Sequence, residues 1–415
     1  MNTDNTPPRV TESKSYAWLV VGLLSVVGCL NYLDRMMITT MRFSIIESIP
    51  MTDAQFGLLT SLFLWIYGFL SPVGGFLADR FKRTWVIIGS LFVWSAVTWL
   101  TSYVTTYEGL LATRALMGIS EACYIPAGLA MIMDYHKGAT RSLANGIHMA
   151  GIMIGQSLGF IGGWLAETHT WNFAFSTFGL IGVVYAFILL ALLREAPRED
   201  TEPAGATPAE KKVSFIETIK ILSANSEYLK TLLFWGTGGV VAWLVVGWLP
   251  TYFKEHFNLS QSVAGVYSTG YFHTASLVGV IAGGLLADRW SRRNPKGRIL
   301  VSMLGLSIAA PAVFLASSTE ALYPALAGFM IFAFFRVFLD ANMMPILTLL
   351  IDRKYLATGY GILNFVACLV GGVSLYAGGA MRDMDINIAQ LFKISSGLML
   401  FIVFMLWRLK PGKNN

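Results

Sequence analysis

Apolar residues run along almost the whole chain in long blocks, separated by short polar stretches. Residues 16–38, 85–103, 173–193 and 391–407 are four such blocks. About twenty residues at a rise of ~1.5 Å each cross ~30 Å of hydrocarbon. A helix satisfies every backbone group within such a segment. The pattern predicts twelve spans, over 16–41, 55–78, 84–103, 107–133, 142–166, 171–193, 229–253, 262–287, 298–316, 321–351, 355–380 and 388–409. A buried core helix accounts for one block of this kind, not a dozen. The expectation is an all-α polytopic membrane protein.

The polar stretches organise these spans. Residues 1–15 lack the basic start and small-residue cleavage site of a signal peptide, so the first block is read as a retained span. REAPREDTEPAGATPAEKK, between spans six and seven, is rich in charge, Pro and Ala and reads as a flexible linker. It divides the chain into a six-span half over 1–193, a cytoplasmic linker over 194–228 and a second six-span half over 229–415. Within the linker, VSFIETIKIL places Phe215, Ile216, Ile219 and Leu222 on one helical face. That suits an interfacial helix, or simply the lead-in to span seven.

Composition agrees and settles orientation. The 415 residues are 55% hydrophobic and 13% charged, with a mean hydropathy of +0.60; soluble domains carry about a quarter charged residues. Most of the 30 Lys and Arg fall in loops on one side, among them Arg80, Lys82, Arg83, Lys137, Arg141, Lys211, Lys212, Arg292, Arg293, Lys296, Arg353 and Lys354. The other side holds Arg42, Lys254, Arg382 and Lys393. The positive-inside rule makes the basic side cytoplasmic, with both termini on it. The net charge of +6 is thereby accounted for by topology, with no nucleic-acid partner. Cys29, Cys123 and Cys368 lie in apolar blocks without metal-type spacing and read as small packing residues.

The chain repeats itself. GGFLADRFKR at 74–83 recurs as GGLLADRWSRR at 283–293, 209 positions later. Glu121-Ala-Cys-Tyr-Ile-Pro126 in span four parallels Asp340-Ala-Asn-Met-Met-Pro345 in span ten, and Asp134 parallels Asp352. Two parallel six-helix halves carrying related signals are a transporter architecture, with the solute site near the midplane between them.

The GxLaDRxxRR-type stretch after spans two and eight resembles the signature loop of the major facilitator superfamily. The resemblance implies two pseudo-symmetric six-helix bundles. More locally, Asn31-Tyr-Leu-Asp-Arg35, Arg114-x-x-x-Gly118-x-x-Glu121 and Trp248-Leu-Pro-Thr-Tyr252 resemble the anion:cation symporter family, which includes sugar-acid and sialic-acid transporters. FVWSAVTW and GISEACY, together with the NYxDR motif, also resemble Spinster-type transporters of sphingolipid and lysolipid substrates. Both subfamilies stay open on the sequence.

Ionisable residues inside spans are costly and are site candidates by default. They are Asp34 and Arg35 in span one, Arg114 and Glu121 in span four, and Arg336 and Asp340 in span ten. Arg114 and Glu121, seven apart, share a face but cannot pair tightly with each other. They need partners on span one: Asp34 with Arg114, and Arg35 with Glu121 or with substrate. These four either neutralise one another or serve binding and coupling. The symporter resemblance associates the positions of Arg35 and Arg114 with an anionic substrate, and those of Asp34 and Glu121 with proton coupling. A buried carboxylate beside a cation that changes partner also changes its proton affinity. Asp340, at the repeat position of Glu121, is the alternative coupling acid, although it can pair with Arg336 four residues away.

Among the aromatic and amide residues, Tyr32, Tyr67, Tyr124 and Asn364 are candidate substrate contacts. Tyr32 and Tyr124 share helical faces with Arg35 and Glu121. His148 and His273 either titrate or simply pack. Gly151, Gly155, Gly159 and Gly163 give span five a smooth stripe for close contact, suited to sliding during alternating access or to static packing. The doublet itself reads as a cytoplasmic gate of Gly75, Asp79, Arg80, Arg83, Gly284, Asp288, Arg289 and Arg293. In it, Asp79 and Asp288 pair with Arg80 and Arg289 or with basic loop residues.

No nucleotide-binding loop, metal-ligand cluster or nucleophile–base spacing is visible, so no cofactor, metal or enzymatic activity is expected. The reading is a secondary active transporter of the cytoplasmic (inner) membrane, acting as a monomer. It moves a small organic anion, a hexuronate, aldonate or sialic acid, with protons. The alternative is a Spinster-like proton-coupled exporter of a lysolipid or sphingolipid-type amphiphile.

Overall fold

The structure, a computed structural model, describes residues 14–136, 140–196, 215–352 and 355–410. Most of the linker, with Lys137, Lys211, Lys212, Arg353 and Lys354, lies outside the described residues. Twelve helices are long and apolar enough to cross a membrane. They are Ser15–Thr40, Asp53–Arg80, Arg83–Thr101, Tyr107–Tyr135, Arg141–Thr168, Trp171–Leu192, Ser226–His256, Gln261–Ser291, Gly297–Ala316, Leu322–Leu347, Leu356–Arg382 and Ile388–Trp407, called spans one to twelve. The face carrying the basic loops is called inner.

Local chemistry starts these helices. The spans that begin at the outer face mostly open on a small polar cap, which satisfies backbone N–H groups that have no partner within the helix. Thr52 and Gln55 form a capping box on span two. Thr106, Thr170, Ser260 and Asn387 accept from the first turns of spans four, six, eight and twelve. The segment before span seven is a separate helix, Phe215–Ala224, whose Leu222 is buried while Ile219 is exposed.

Three spans are not regular. Span four breaks into Tyr107–Glu121 and Tyr124–Tyr135. Pro126 has no N–H to give the carbonyl of Ala122, so the turn opens immediately after Glu121. Ser90 Oγ donates to the carbonyl of Ser120, one of those near the break, at 2.6 Å. Span five breaks at Leu158–Gly159. Span eight carries a π-helical turn, Val266–Tyr271, facing that break; a π turn inserts one residue and re-aims the helical turns beyond it.

Glycines bring backbones together. A Cβ at Gly151 would stand 2.6 Å from the Ser25 carbonyl oxygen, and one at Gly163 3.0 Å from that of Thr40. The span-five stripe therefore packs on span one within the same half. Only its outer end, at Gly163, also touches the opposite half, where a Cβ would stand 3.4 Å from the Gln261 carbonyl oxygen. In the repeated decapeptide, close approach is made by Gly74 and Gly283, not by Gly75 and Gly284. A Cβ on Gly283 would meet the Phe338 ring at 2.8 Å and one on Gly74 would strike the Ala122 carbonyl. Gly75 has only Pro126, at 3.9 Å, and Gly284 faces open space. The close-packing face thus lies one helical position away from the expected one, about 100° of rotation.

The two sets of six spans meet along two seams. Between spans two and eleven, Ser61 Oγ donates to Gly372 O at 2.6 Å and Trp65 Nε1 to Leu369 O at 2.9 Å. Farther in, the rings of Phe69 and Phe365 meet at 4.9 Å. Between spans five and eight, Ser157 Oγ donates to Gly270 O at 3.0 Å, and the Gln261 amide donates to Gly163 O and Ser44 Oγ at 3.2 and 2.9 Å. The outer ends are locked by charge. Arg382 grips both oxygens of Glu255 at 2.9 Å and donates to Asp53 at 2.8 Å. Arg42 also binds Asp53. Asp383 accepts from the N–H groups of Asp53 and Ala54 at 2.9 and 3.0 Å, capping span two from the other half. The Trp248-Leu-Pro-Thr-Tyr252 motif is buried directly beneath this lock, with Arg42 and Arg382 lying over the Trp248 ring.

Candidate solute and coupling site

The charges of spans one and four form one buried group. Asp34, Arg35, Arg114 and Glu121 are 3%, 5%, 1% and 0% exposed. Arg35 Nε donates to Glu121 Oε2 at 2.7 Å. The Arg35 guanidinium is boxed by aromatic rings, 4.2 Å from the centroid of Tyr67, 4.6 Å from Tyr32 and 5.0 Å from Phe63. Such faces hold a desolvated cation without neutralising it.

Arg114 and Asp34 do not form the ion pair expected of them. Among the described residues neither has an opposite charge within 4 Å. Arg114 lies over the Phe63 ring at 5.0 Å and donates to Met117 Sδ at 3.3 Å, while Asp34 accepts from Thr98 Oγ1, at 3.4 Å, with the Trp94 side chain also beside it. The group is neutral as two acids and two bases, but only one pair is closed. A buried pair barely offsets its desolvation, and a buried charge left over costs more. This arrangement is therefore better suited to exchanging partners than to holding helices together.

A cavity of about 380 Å³ lies on the inner side of the lock, bordered by spans one and five and by spans seven to twelve. Methionine, valine, alanine, leucine, tryptophan and isoleucine side chains make most of its wall. Met36, Met149 and Met153 are supplied by the first half. Its polar end is Arg336 and Asp340, paired at 3.2 Å, with Asn364, Tyr360, Gln156 and His273 close by. Tyr360 is only four residues from the inner end of span eleven and is exposed, as is Asp340, so the cavity opens toward the inner face.

The candidate residues thus separate. Tyr32 and Tyr67 surround Arg35, whereas Asn364 and Asp340 line the cavity. Tyr124 reaches neither: it is fully buried, its hydroxyl donates to Leu24 O at 2.6 Å, and its ring packs on Trp94. Its place on the face of Glu121 predicted proximity, but the break at Ala122–Cys123 turns it into the core of the first half. Sequence reasoning passed over Gln156, Tyr360 and the methionines. The spacing of Tyr360 and Asn364, and of Met149 and Met153, four residues in each case, was the available signal.

The gate residues occupy the inner surface in a different pairing. Asp79, Arg80, Asp288, Arg289 and Arg293 are exposed. Asp288 pairs with Arg298 at 2.6 Å in its own half, not with Arg289. Arg83 binds Asp134 and donates to Ala130 O at 3.1 Å, and Glu195 accepts from the N–H groups of Arg83 and Thr84. An aspartate and the arginine beside it point to different sides of a helix, which is why the adjacent pairs do not form.

Comparisons with known proteins agree with the fold. The family model described as Major Facilitator Superfamily matches residues 24–375. Protein spinster homolog 3 of Danio rerio is 28% identical over 333 residues, 75% of this chain and 65% of that protein. Protein spinster homolog 1 of Mus musculus is 27% identical over 74% of this chain and 62% of that protein. The match therefore spans just under two thirds of these relatives. Crystal structures of a bacterial homologue of the human lysosomal transporter Spinster share the fold. The inward-facing, unoccupied form has a TM-score of 0.77 at 23% identity and the inward-facing, occupied form 0.75 at 21%, each over 95% of both chains.

Proposed function

The chain belongs to the Major Facilitator Superfamily, and from that premise we propose that it is a proton-coupled secondary transporter exporting an amphipathic solute of lysolipid or sphingolipid type. The observation that carries this reading is the cavity: apolar walls ending in one half-exposed charge pair. An acyl chain lies against the methionine and valine wall, while a phosphate or ammonium head group engages Arg336 or Asp340. The Spinster relatives support the same class over a sugar acid.

Coupling resides in the first half. Glu121 shares its proton affinity with Arg35: when a neighbouring anion or Asp34 draws Arg35 away, Glu121 takes a proton, and when Arg35 returns the proton leaves. Rocking of the two halves then exposes the loaded group to the other face. The protein acts as a monomer in the cytoplasmic membrane with both termini inside. The second reading, a compact sugar acid, is favoured by one observation: Arg35 lies in an aromatic box with Arg114 beyond Phe63.

Reconstitution decides between them. Proteoliposomes under an imposed pH gradient are offered oleoyl lysophosphatidylglycerol, sphingosine and glucuronate. Gradient-dependent movement of the lysolipid or sphingosine supports the proposal. Movement of glucuronate alone overturns it in favour of the second reading.

A further inference from the structure

The acid of span four lies apart from the cavity. The first-half wall of the cavity is Met36, Met149, Met153 and Gln156, and Glu121 is 0% exposed. A proton moving between Glu121 and the inner face needs its own route. Buried polar atoms without a hydrogen-bond partner mark one. Among the described residues they are, beside Glu121 Oε1, both amide atoms of Asn31 and, farther inward, both ring nitrogens of His148 and Asn145 Oδ1. Asn31 approaches Glu121, and His148 approaches the Leu24 carbonyl, in neither case with hydrogen-bond geometry.

The helices set this order. Glu121 lies at mid-depth, His148 is seven residues from the inner end of span five, and Asn145 is one turn below it. The His148 ring fills the notch at Gly28, where a Cβ would stand 3.1 Å from its Cε1. Tyr124 flanks it at 5.9 Å between centroids. Buried polar groups in native proteins are satisfied, and where protein atoms do not serve, water does.

We propose that His148 is a proton relay joining Glu121 to the inner face through water held by Asn31 and Asn145, separate from the solute cavity. The proposal rests on the proton-coupled reading. In loading from the inner face, neutral His148 accepts a proton at one ring nitrogen from water beside Asn145. It releases the proton on its other nitrogen, through water beside Asn31, to the Glu121 carboxylate. One proton enters and one leaves, and a ring flip restores the starting tautomer. The other titratable groups around it are Tyr124 of span four, Tyr185 of span six, which donates to the neighbouring Leu23 carbonyl at 2.9 Å, and Cys29 of span one. The charged groups are Arg35 and Glu121 outward and Arg141 at the inner end.

The test uses the full chain in pyranine-loaded proteoliposomes with oleoyl lysophosphatidylglycerol. His148→Gln keeps a hydrogen-bonding side chain but cannot relay. It is expected to slow pH-gradient-driven transport by about 100-fold or more while exchange at equal pH is retained. His148→Ala is expected to recover when imidazole is supplied on the inner face. Gradient-driven transport by His148→Gln at the wild-type rate overturns the proposal. So does loss of exchange in both variants, which marks a packing residue, or failure of imidazole to restore an exchange-competent His148→Ala. Wild-type transport that ignores the gradient is a distinct result: it removes proton coupling itself and the relay with it.

Discussion

Arg35 and Glu121 stand 86 residues apart in sequence and 2.7 Å apart in the structure, sealed from solvent, while Arg114 on the same helix as Glu121 has no carboxylate within 4 Å among the described residues. The pair can be broken from either side with different consequences. Glu121→Gln removes the exchangeable proton but leaves a hydrogen-bond acceptor for Arg35. Gradient-driven accumulation is expected to vanish while counterflow exchange survives; accumulation at the wild-type level refutes the coupling role. Arg35→Leu strands a buried carboxylate and should cost about 3–5 kcal/mol. The double variant Arg35→Leu/Glu121→Leu should recover most of that melting temperature and none of the coupling.

Arg336 and Asp340 lie on the cavity wall, so their substitution should act on solute affinity more than on folding. Arg336→Gln is expected to weaken binding of an anionic lysolipid about tenfold, the worth of one charge-assisted hydrogen bond near a half-exposed site. Equilibrium binding measured by tryptophan quenching reads this directly, and an unchanged Kd removes Arg336 from the site.

The lock of Arg382 on Asp53 and Glu255 holds the outer ends together. Arg382→Ala should raise the fraction of molecules open to the outer side. A cysteine in place of Ser61, buried on the seam with span eleven, should then react faster with a membrane-impermeant maleimide. No gain in labelling means that the uncharged contacts alone seal this end.

Asp383 also contributes a pH dependence. Burial would raise its carboxyl, but the N–H groups of Ala54 and Asp53 outweigh that and hold it below its ordinary value of 3.8. A depressed carboxylate stabilises the folded contact above its unfolded value and loses that contribution as pH falls through the folded one. The Asp383 contribution to the outer seal should therefore be intact above its ordinary value and be lost only as pH falls below it. Spin-label distances between the outer ends of spans two and eleven test this, and Asp383→Asn should remove the acid step.

The repeated glycines separate by position. Gly74→Val and Gly283→Val should each destabilise the protein by about 1–3 kcal/mol through overpacking. Gly284→Val, facing open space, should be near neutral. Equal melting temperatures for Gly283→Val and Gly284→Val refute the assigned helix faces.

The twelve spans were legible because lipid crossing demands long apolar runs, and the doublet exposed the repeat. Within the site, intramembrane charge identified Arg35 and Glu121, since such residues are rare in spans. Three things were not legible. The cavity wall is made of methionine and valine, which look like any lipid-facing residue in a sequence this apolar. The outer lock joins residues from opposite halves, and pairing across that distance leaves no local periodicity. The break after Glu121 rotated Tyr124 away from the site. Pro126 signalled a distortion there, but not its direction.

The Phe69–Phe365 contact is the innermost ring pair described on the seam between spans two and eleven, and its depth governs the size of the inner mouth. Nine residues separate Phe365 from Leu356 at the inner end of span eleven, a lever arm of about 13 Å. A rigid-body swing of about 15° around that fulcrum moves the end of the arm by roughly 3–4 Å. That stroke is about the girth of one hydrocarbon chain. Under the proposed function, one swing should therefore admit a single tail, and a two-tailed phospholipid is not expected to be transported.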